Sequence, residues 1–220
     1  MSDDETPPLL SSPLHRKTAL PADRLIAFSD AVVAIAITLL VLPLIELVTE
    51  ETHTETTPAV LVGSHLVLIG SFLISFVAIW RIWTVHHQLF AHTETVGGGV
   101  TFVNMIWLAC IAFLPFPVGL IGSFGTDSFV LALYVGVLLV SSATLAVIAL
   151  MLRRAGGDQT PDRIVVEQVV GNAICLAAAF VIVLVVPAAG FWPLLLLLLD
   201  GPVIAAIHRL RHRPKERSPR

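Results

Sequence analysis

Of the 220 residues, 56% are apolar and 13% charged, and the formal net charge is −3. A soluble domain carries roughly a quarter charged residues. The balance therefore excludes a water-soluble enzyme or a nucleic-acid-binding module and implies an all-α integral membrane protein with one membrane domain. Cys110 and Cys175 both fall inside apolar runs, where cysteine behaves as a small hydrophobe, and they form neither a disulfide framework nor a zinc spacing.

Residues 1–22 are polar and contain Pro7, Pro8, Pro13 and Pro21. They read as a disordered tail, not a signal peptide, because the apolar run that follows is too long for an h-region and no small-residue cleavage site follows it. Asp23 is the expected N-cap of the first helix. The run over residues 24–44, RLIAFSDAVVAIAITLLVLPL, has membrane length but carries Arg24, Ser29 and Asp30 in its first two turns. An ionised carboxylate inside a membrane helix costs about 3 kcal/mol on insertion scales, so such groups are rare and usually functional. Arg24 and Asp30 lie six residues apart and do not share a helix face, so each needs a partner outside this helix. Ala31, Ile35, Thr38 and Leu42 do fall on one stripe. That stripe is either packed or lipid-facing filler, with Thr38 bonded to its own backbone, or a pore lining with Ile35 as a constriction and Thr38 as a ring of oxygens. Spacing leaves both open.

Residues 47–58 form an acidic, Thr-rich loop without Lys or Arg, flanked or occupied by Glu46, Glu50, Glu51 and Glu55. It is a solvated loop that could also draw cations to a pore mouth. A second helix is expected over residues 59–90, with Gly63, Gly70, Ser71 and Ser75 for close packing and Arg81, His86 and His87 at its lower end. His86, His87 and His92 lack the i, i+4 spacing of a helical zinc site, so they read as interfacial histidines bonding neighbouring helices, Asp30 among the candidates. A short turn over residues 91–99 leads to a third helix over 100–122. It carries Asn104 near its start, a cross-helix hydrogen bonder, and the run LPFP at 114–117, which predicts a kink. A fourth helix is expected over 129–152, with Ser141, Ser142 and Thr144 bonded to their own backbone. A basic loop over 153–163 precedes a fifth helix over 163–187. Its Glu167 is either interfacial or part of a polar cluster around Arg24. A sixth helix over 191–210 is interrupted by Asp200-Gly201-Pro202. The break either kinks a packing helix or sets Asp200 in a water-filled crevice. The basic tail that follows suits anionic headgroups.

All 13 Lys and Arg residues fall in the N-terminal tail and first-helix start, the end of helix two, the loop between helices four and five, or the C-terminal tail. With six spans these places share one membrane face, and the positive-inside rule makes it the cytoplasmic one. No three-helix internal repeat, P-loop, Rossmann glycine pattern, G-x-S-x-G, H-E-x-x-H or TVGYG filter occurs.

Arg24-x-x-x-Phe28-Ser29-Asp30, at the start of the first membrane helix, resembles the RxxxFSD signature of the transmembrane protein 175 family of cation channels. The run from Trp80 to Phe90, and Asn104 with Leu114-Pro115-Phe116, are similar to that family as well. The second half of the chain resembles it only in topology. The resemblance implies a potassium-selective channel without the usual filter loop, built as a tetramer of six-helix subunits whose first helix lines the pore. It also implies that the constriction, five residues after the motif Asp, is Ile35, and that the hydroxyl three residues further on, Thr38, contributes to potassium preference.

The expected molecule is thus a potassium-selective channel subunit in the plasma membrane with both termini cytoplasmic. Residues 1–22 are its tail, 23–210 its six-helix domain and 211–220 a basic tail. A homotetramer would bring four first helices around one axis. Ala31, Ile35, Thr38 and Leu42 would line the path; Arg24, Phe28, Ser29, Asp30, His86, His87 and Asn104 would form the structural network. No metal site or cofactor is expected beyond the permeant potassium ion. Two other classes remain open from the residues. One is a proton-coupled transporter or proton pathway using Asp30, Glu167 and Asp200; the other is an intramembrane enzyme using His86 or His87, for which no nucleophile or metal set is present.

Overall fold

The structure is a computed structural model that describes residues 20–51, 57–125, 127–156 and 160–186. Eight helices and one two-strand bridge make up this part: β1 (Leu20–Pro21), α1 (Ala22–Leu39), α2 (Leu42–Glu51), α3 (Pro58–Ser64), α4 (Leu66–Phe90), β2 (Thr95–Val96), α5 (Gly98–Phe113), α6 (Pro115–Phe124), α7 (Ser128–Ala155) and α8 (Arg163–Val185). Taken as spans, α1 with α2, α4, α5 with α6, α7 and α8 are five segments long and apolar enough to cross a membrane. The expected sixth helix, with Asp200 and the basic tail, lies outside the described residues.

The breaks follow backbone chemistry. Pro43 has no N–H to give Leu39, and its ring crowds the carbonyl four residues back, so α1 stops at Leu39 and α2 resumes at Leu42. Pro115 and Pro117 act in the same way on Ile111 and Phe113, and the third span kinks at Leu114 where LPFP predicts it. The second span is not the single helix expected over residues 59–90. It breaks at His65, where Ser64 Oγ donates to the Val60 and Leu61 carbonyls at 3.0 Å and His65 Nδ1 reaches the Leu61 carbonyl, also at 3.0 Å. Side chains inserted into the i to i−4 ladder bend helices in this way. The Asp23 cap is not formed either: α1 begins at Ala22, behind Pro21, with no side-chain cap. Its entry is held by the chain itself. Leu20–Pro21 pair antiparallel with Thr95–Val96, and the Ala22 N–H donates to the Glu94 carbonyl at 2.9 Å. These last residues of the expected tail are therefore ordered, and the rest of it lies outside the described residues. At α7 the cap is made, with Asp127 Oδ1 accepting from the Phe129 and Val130 N–H groups.

The spans alternate in direction. Gly99 at the start of α5 approaches Met151 near the end of α7, and Gly122 near the end of α6 approaches Leu68 at the start of α4. The end holding the starts of α1, α5 and α8 also holds Arg24, Arg153, Arg154 and Arg163. The core sits around α7, which packs on α5, α6 and α8. Half of its most apolar stretch (50%) is buried, against 17% for the α1–α2 span, the least covered of the five. Because lipid is as apolar as leucine, helices in a bilayer are held by close packing and cross-helix hydrogen bonds. Such bonds away from α1 include Ser75 Oγ with the Tyr134 hydroxyl at 2.9 Å, and Asn172 Nδ2 donating to Ser142 Oγ at 2.9 Å. Ser142 is thus a cross-helix acceptor, whereas Thr144 donates to the Ser141 carbonyl as the sequence suggests.

Candidate functional site: the first span and its polar anchor

One face of α1 is buried and the other bare, and the residues divide along the helix period. Leu25, Ser29, Val33 and Ala36 are buried against α4 and α5. Ala31, Ile35, Thr38 and Leu42 are all exposed, Ile35 at 60% of its surface. Phe28 and Ile45 extend this uncovered face below and above. Thr38 Oγ1 donates its proton to the Ile35 carbonyl at 2.7 Å. A hydroxyl has one proton and two lone pairs, so with the proton turned back into the helix the oxygen offers only acceptor capacity outward. The backbone-bonding and ion-facing readings of Thr38 are compatible for this reason.

The buried side is fixed by a chain of polar contacts near the start of α1. Ser29 Oγ donates to the Leu25 carbonyl at 2.8 Å and accepts from Asn104 Nδ2 at 3.0 Å. Asn104 Oδ1 lies 2.8 Å from His86 Nε2. Since the amide nitrogen is already donating to Ser29, its oxygen is the acceptor and His86 carries its proton on Nε2. Ser29, His86 and Asn104 are each fully buried. The His86 ring lies flat on Trp107, with centroids 4.1 Å apart and planes 6° from parallel, and tilts against Phe90. Beside this chain, Trp83 Nε1 donates to Asp30 Oδ1 at 2.7 Å. The indole N–H supplies the partner that an intramembrane carboxylate requires.

Ser29, Asp30, His86 and Asn104 are thus brought into one anchor joining α1, α4 and α5. Arg24, Phe28 and His87 are not part of its hydrogen bonds. Arg24 and Phe28 are exposed, and His87 rests its ring against Trp83 at 5.8 Å. Trp83 and Trp107 are the members that residue-by-residue reading missed. Trp83 lies one turn before His86, a spacing that marks it as a neighbour of the same interface. Glu167 does not join the anchor. It pairs with Arg163 across one turn at 2.8 Å on an exposed face, where such pairs contribute at most about 0.5 kcal/mol. Glu46 is exposed, and Glu55 lies outside the described residues.

A helical, multi-pass membrane protein with a first span tied down at one end and uncovered along one face is the class these features define. Residues 24–115 match the family profile described as endosomal/lysosomal potassium channel TMEM175. Over that region the chain is similar to the TMEM175 family. A potassium channel of Streptomyces collinus is 31% identical over 104 residues, 46% of this chain and 48% of that one. A potassium channel of Chamaesiphon minutus is 38% identical over 104 residues, 46% and 49% of the two chains. A TMEM175 endosomal/lysosomal proton channel of Gallus gallus is 29% identical over 106 residues, 46% of this chain and 20% of that one. The chain spans about half the length of the bacterial relatives it matches. In fold it resembles the crystal structure of a lysosomal potassium-selective channel TMEM175 homolog from Chamaesiphon minutus. The TM-score is 0.66 at 23% identity, covering 83% of this chain and 97% of the other.

Proposed function

We propose that the chain is one subunit of a potassium-selective channel, with six spans, whose ion path is lined by α1 in a symmetric homotetramer. The observation that carries this reading is the uncovered stripe Ala31, Ile35, Thr38 and Leu42, backed by a buried anchor that fixes its orientation. A single bare helix cannot enclose a path; four copies around an axis can. Ile35 then forms a hydrophobic neck that passes partly dehydrated ions when wide and dewets when narrow. Thr38 oxygens replace part of the hydration shell, and Leu42 makes an outer ring. Ser29, Asp30, His86 and Asn104 hold the helix and do not touch ions. The protein resides in the plasma membrane with its basic ends in the cytoplasm and its acidic α1-to-α4 connection outside.

The test is flux from proteoliposomes under potassium, sodium and proton gradients in turn. Potassium flux well above sodium flux, raised by Ile35→Asn and made less selective by Thr38→Ala, is the expected result. A second reading, proton conduction, is favoured by the naming of vertebrate relatives as proton channels. It predicts flux that follows the proton gradient and ignores both substitutions. An intramembrane enzyme based on His86 is disfavoured by the burial of that ring between Trp107 and Phe90, where no substrate reaches it.

A further inference from the structure

Among the described residues, the buried side-chain atoms without a hydrogen-bond partner in the protein are His86 Nδ1, Thr93 Oγ1, Trp107 Nε1 and Ser141 Oγ. The two nitrogens belong to one pair of rings. His86 and Trp107 lie flat on each other, with centroids 4.1 Å apart and planes 6° from parallel, and both are sealed from solvent. Their chemistry is complementary. An indole nitrogen only donates. His86 holds its proton on Nε2 for the Asn104 oxygen, 2.8 Å away, so its Nδ1 offers a lone pair. A donor and an acceptor this close would bond to each other, but the stack forbids it. The N–H lies in the plane of the indole and the lone pair in the plane of the imidazole. In parallel planes both point sideways at the rim of the stack, and neither points at the other. Unlike a hydroxyl, a ring nitrogen cannot rotate to find another partner.

We infer that one buried water sits at the rim of this stack, accepting from the Trp107 Nε1–H and donating to His86 Nδ1. Leaving either nitrogen buried and unmet is unfavourable. Buried waters are held by a few polar groups each, and a pair of them is enough. Ions do not suit the pair, since a cation would meet the indole N–H and an anion the imidazole lone pair. Water supplies an acceptor and a donor from a single oxygen. His86 stands four residues before the end of α4, about 6 Å at 1.5 Å per residue, so a water has little more than one helical turn to cross. The bridge makes Trp107 a positioning residue that acts on the anchor through the water. His86 is then tied at both nitrogens, which fixes its tautomer and keeps its Nε2–H on the amide that donates to Ser29 of α1. The inference rests on the geometry of the anchor alone and holds whichever ion the protein carries.

Solid-state NMR of the full-length protein in lipid bilayers tests this. The protein is deuterated, carries nitrogen-labelled histidine and tryptophan assigned through their backbones, and is back-exchanged in ordinary water, so that magnetisation can be started on water protons alone. The expected result is a His86 protonated on Nε2 and bare on Nδ1, with rapid transfer from water protons to both Nδ1 and the Trp107 Nε1–H. Trp107→Phe leaves a ring for His86 to lie on and removes the N–H. Transfer from water to Nδ1 should then fall several-fold, because the water has lost one of its two holds. A proton on Nδ1 would overturn the inference, and so would transfer to neither nitrogen or to only one. Transfer to Nδ1 that is unchanged in Trp107→Phe would show a water that the indole does not share, and the bridge would be withdrawn. Should Trp107→Phe fail to fold, the spectra of the parent protein decide by the same outcomes.

Discussion

At Asn104 a single side chain decides whether two helices register. Its amide donates to Ser29 on α1 and accepts from His86 on α4, and all three residues are shut off from solvent. Replacing it does not strand both partners equally. Ser29 still donates to the Leu25 carbonyl, whereas the Nε2–H of His86 loses its acceptor. Leaving one buried donor unmet costs about 1–3 kcal/mol, while replacing both partners by apolar groups of similar shape is close to neutral. Asn104→Leu should therefore lower stability in detergent-denaturant titration by about that amount. Asn104→Leu with His86→Phe should recover most of the loss, since the new ring can still lie on Trp107. A double variant as weak as the single one would show that the cost is shape and not the hydrogen bond. The stripe on α1 was legible because its spacing alone fixes which residues share a face. The partner of Asp30 was not. A carboxylate in lipid announces that it needs a donor, but several donors lay within reach along residues 80–92, and helix rotation, not sequence, selected Trp83 over the histidines.

On the scale of elements, the sequence reading finds one helix break, at LPFP, passes over the others in taking 24–44 and 59–90 as unbroken, and hides how closely helices pack. Pro43 and LPFP both interrupt helices through missing N–H groups, but only the kink at Leu114 is expected; the run over 24–44 reads as unbroken and divides between Leu39 and Leu42. The break at His65 needs no proline; the pair Gly63-Ser64 just before it is the kind of local signal that accompanies bends. Close approach differs between two glycines in a way no composition reveals. A Cβ at Gly99 would meet only the terminal methyl of Met151, at 2.9 Å, the far end of an unbranched side chain. A Cβ at Gly122 would meet both methyls of buried Leu68, at 3.0 and 3.2 Å, on the seam between α6 and α4. Gly99→Ala should be tolerated within about 0.5 kcal/mol, because methionine swings aside. Gly122→Ala should cost about 1–3 kcal/mol as an overpacked contact, and that cost should vanish in a Leu68→Ala background, as a double-mutant cycle would report. Equal costs at the two glycines would mean that backbone separation, not side-chain freedom, sets the spacing here.

For the whole molecule, the least buried span is also the first. A membrane helix with so little cover takes its orientation from contacts at one end. Among the described residues, the Asp30–Trp83 bond is the anchor contact nearest the bare stripe, since Asp30 directly precedes Ala31. Asp30→Ala removes the acceptor, leaves the indole N–H unmet and frees α1 to rotate about its axis. A rotation of one residue, 100° on a 3.6-residue helix, would carry Ile35 and Thr38 off the axis of the proposed tetramer. Asp30→Asn keeps an oxygen for Trp83 and sheds the charge that lipid penalises. The two substitutions should therefore separate assembly from charge. Native mass spectrometry of detergent-solubilised protein should find Asp30→Ala largely unassembled and Asp30→Asn still forming the parental oligomer, with flux retained. If Asp30→Ala instead assembles and conducts like the parent, the anchor does not orient α1 and the pore geometry must be held by contacts between subunits. If both variants assemble and only flux is lost, the carboxylate charge itself acts on the permeating ion, and Asp30 moves from the scaffold to the conduction path.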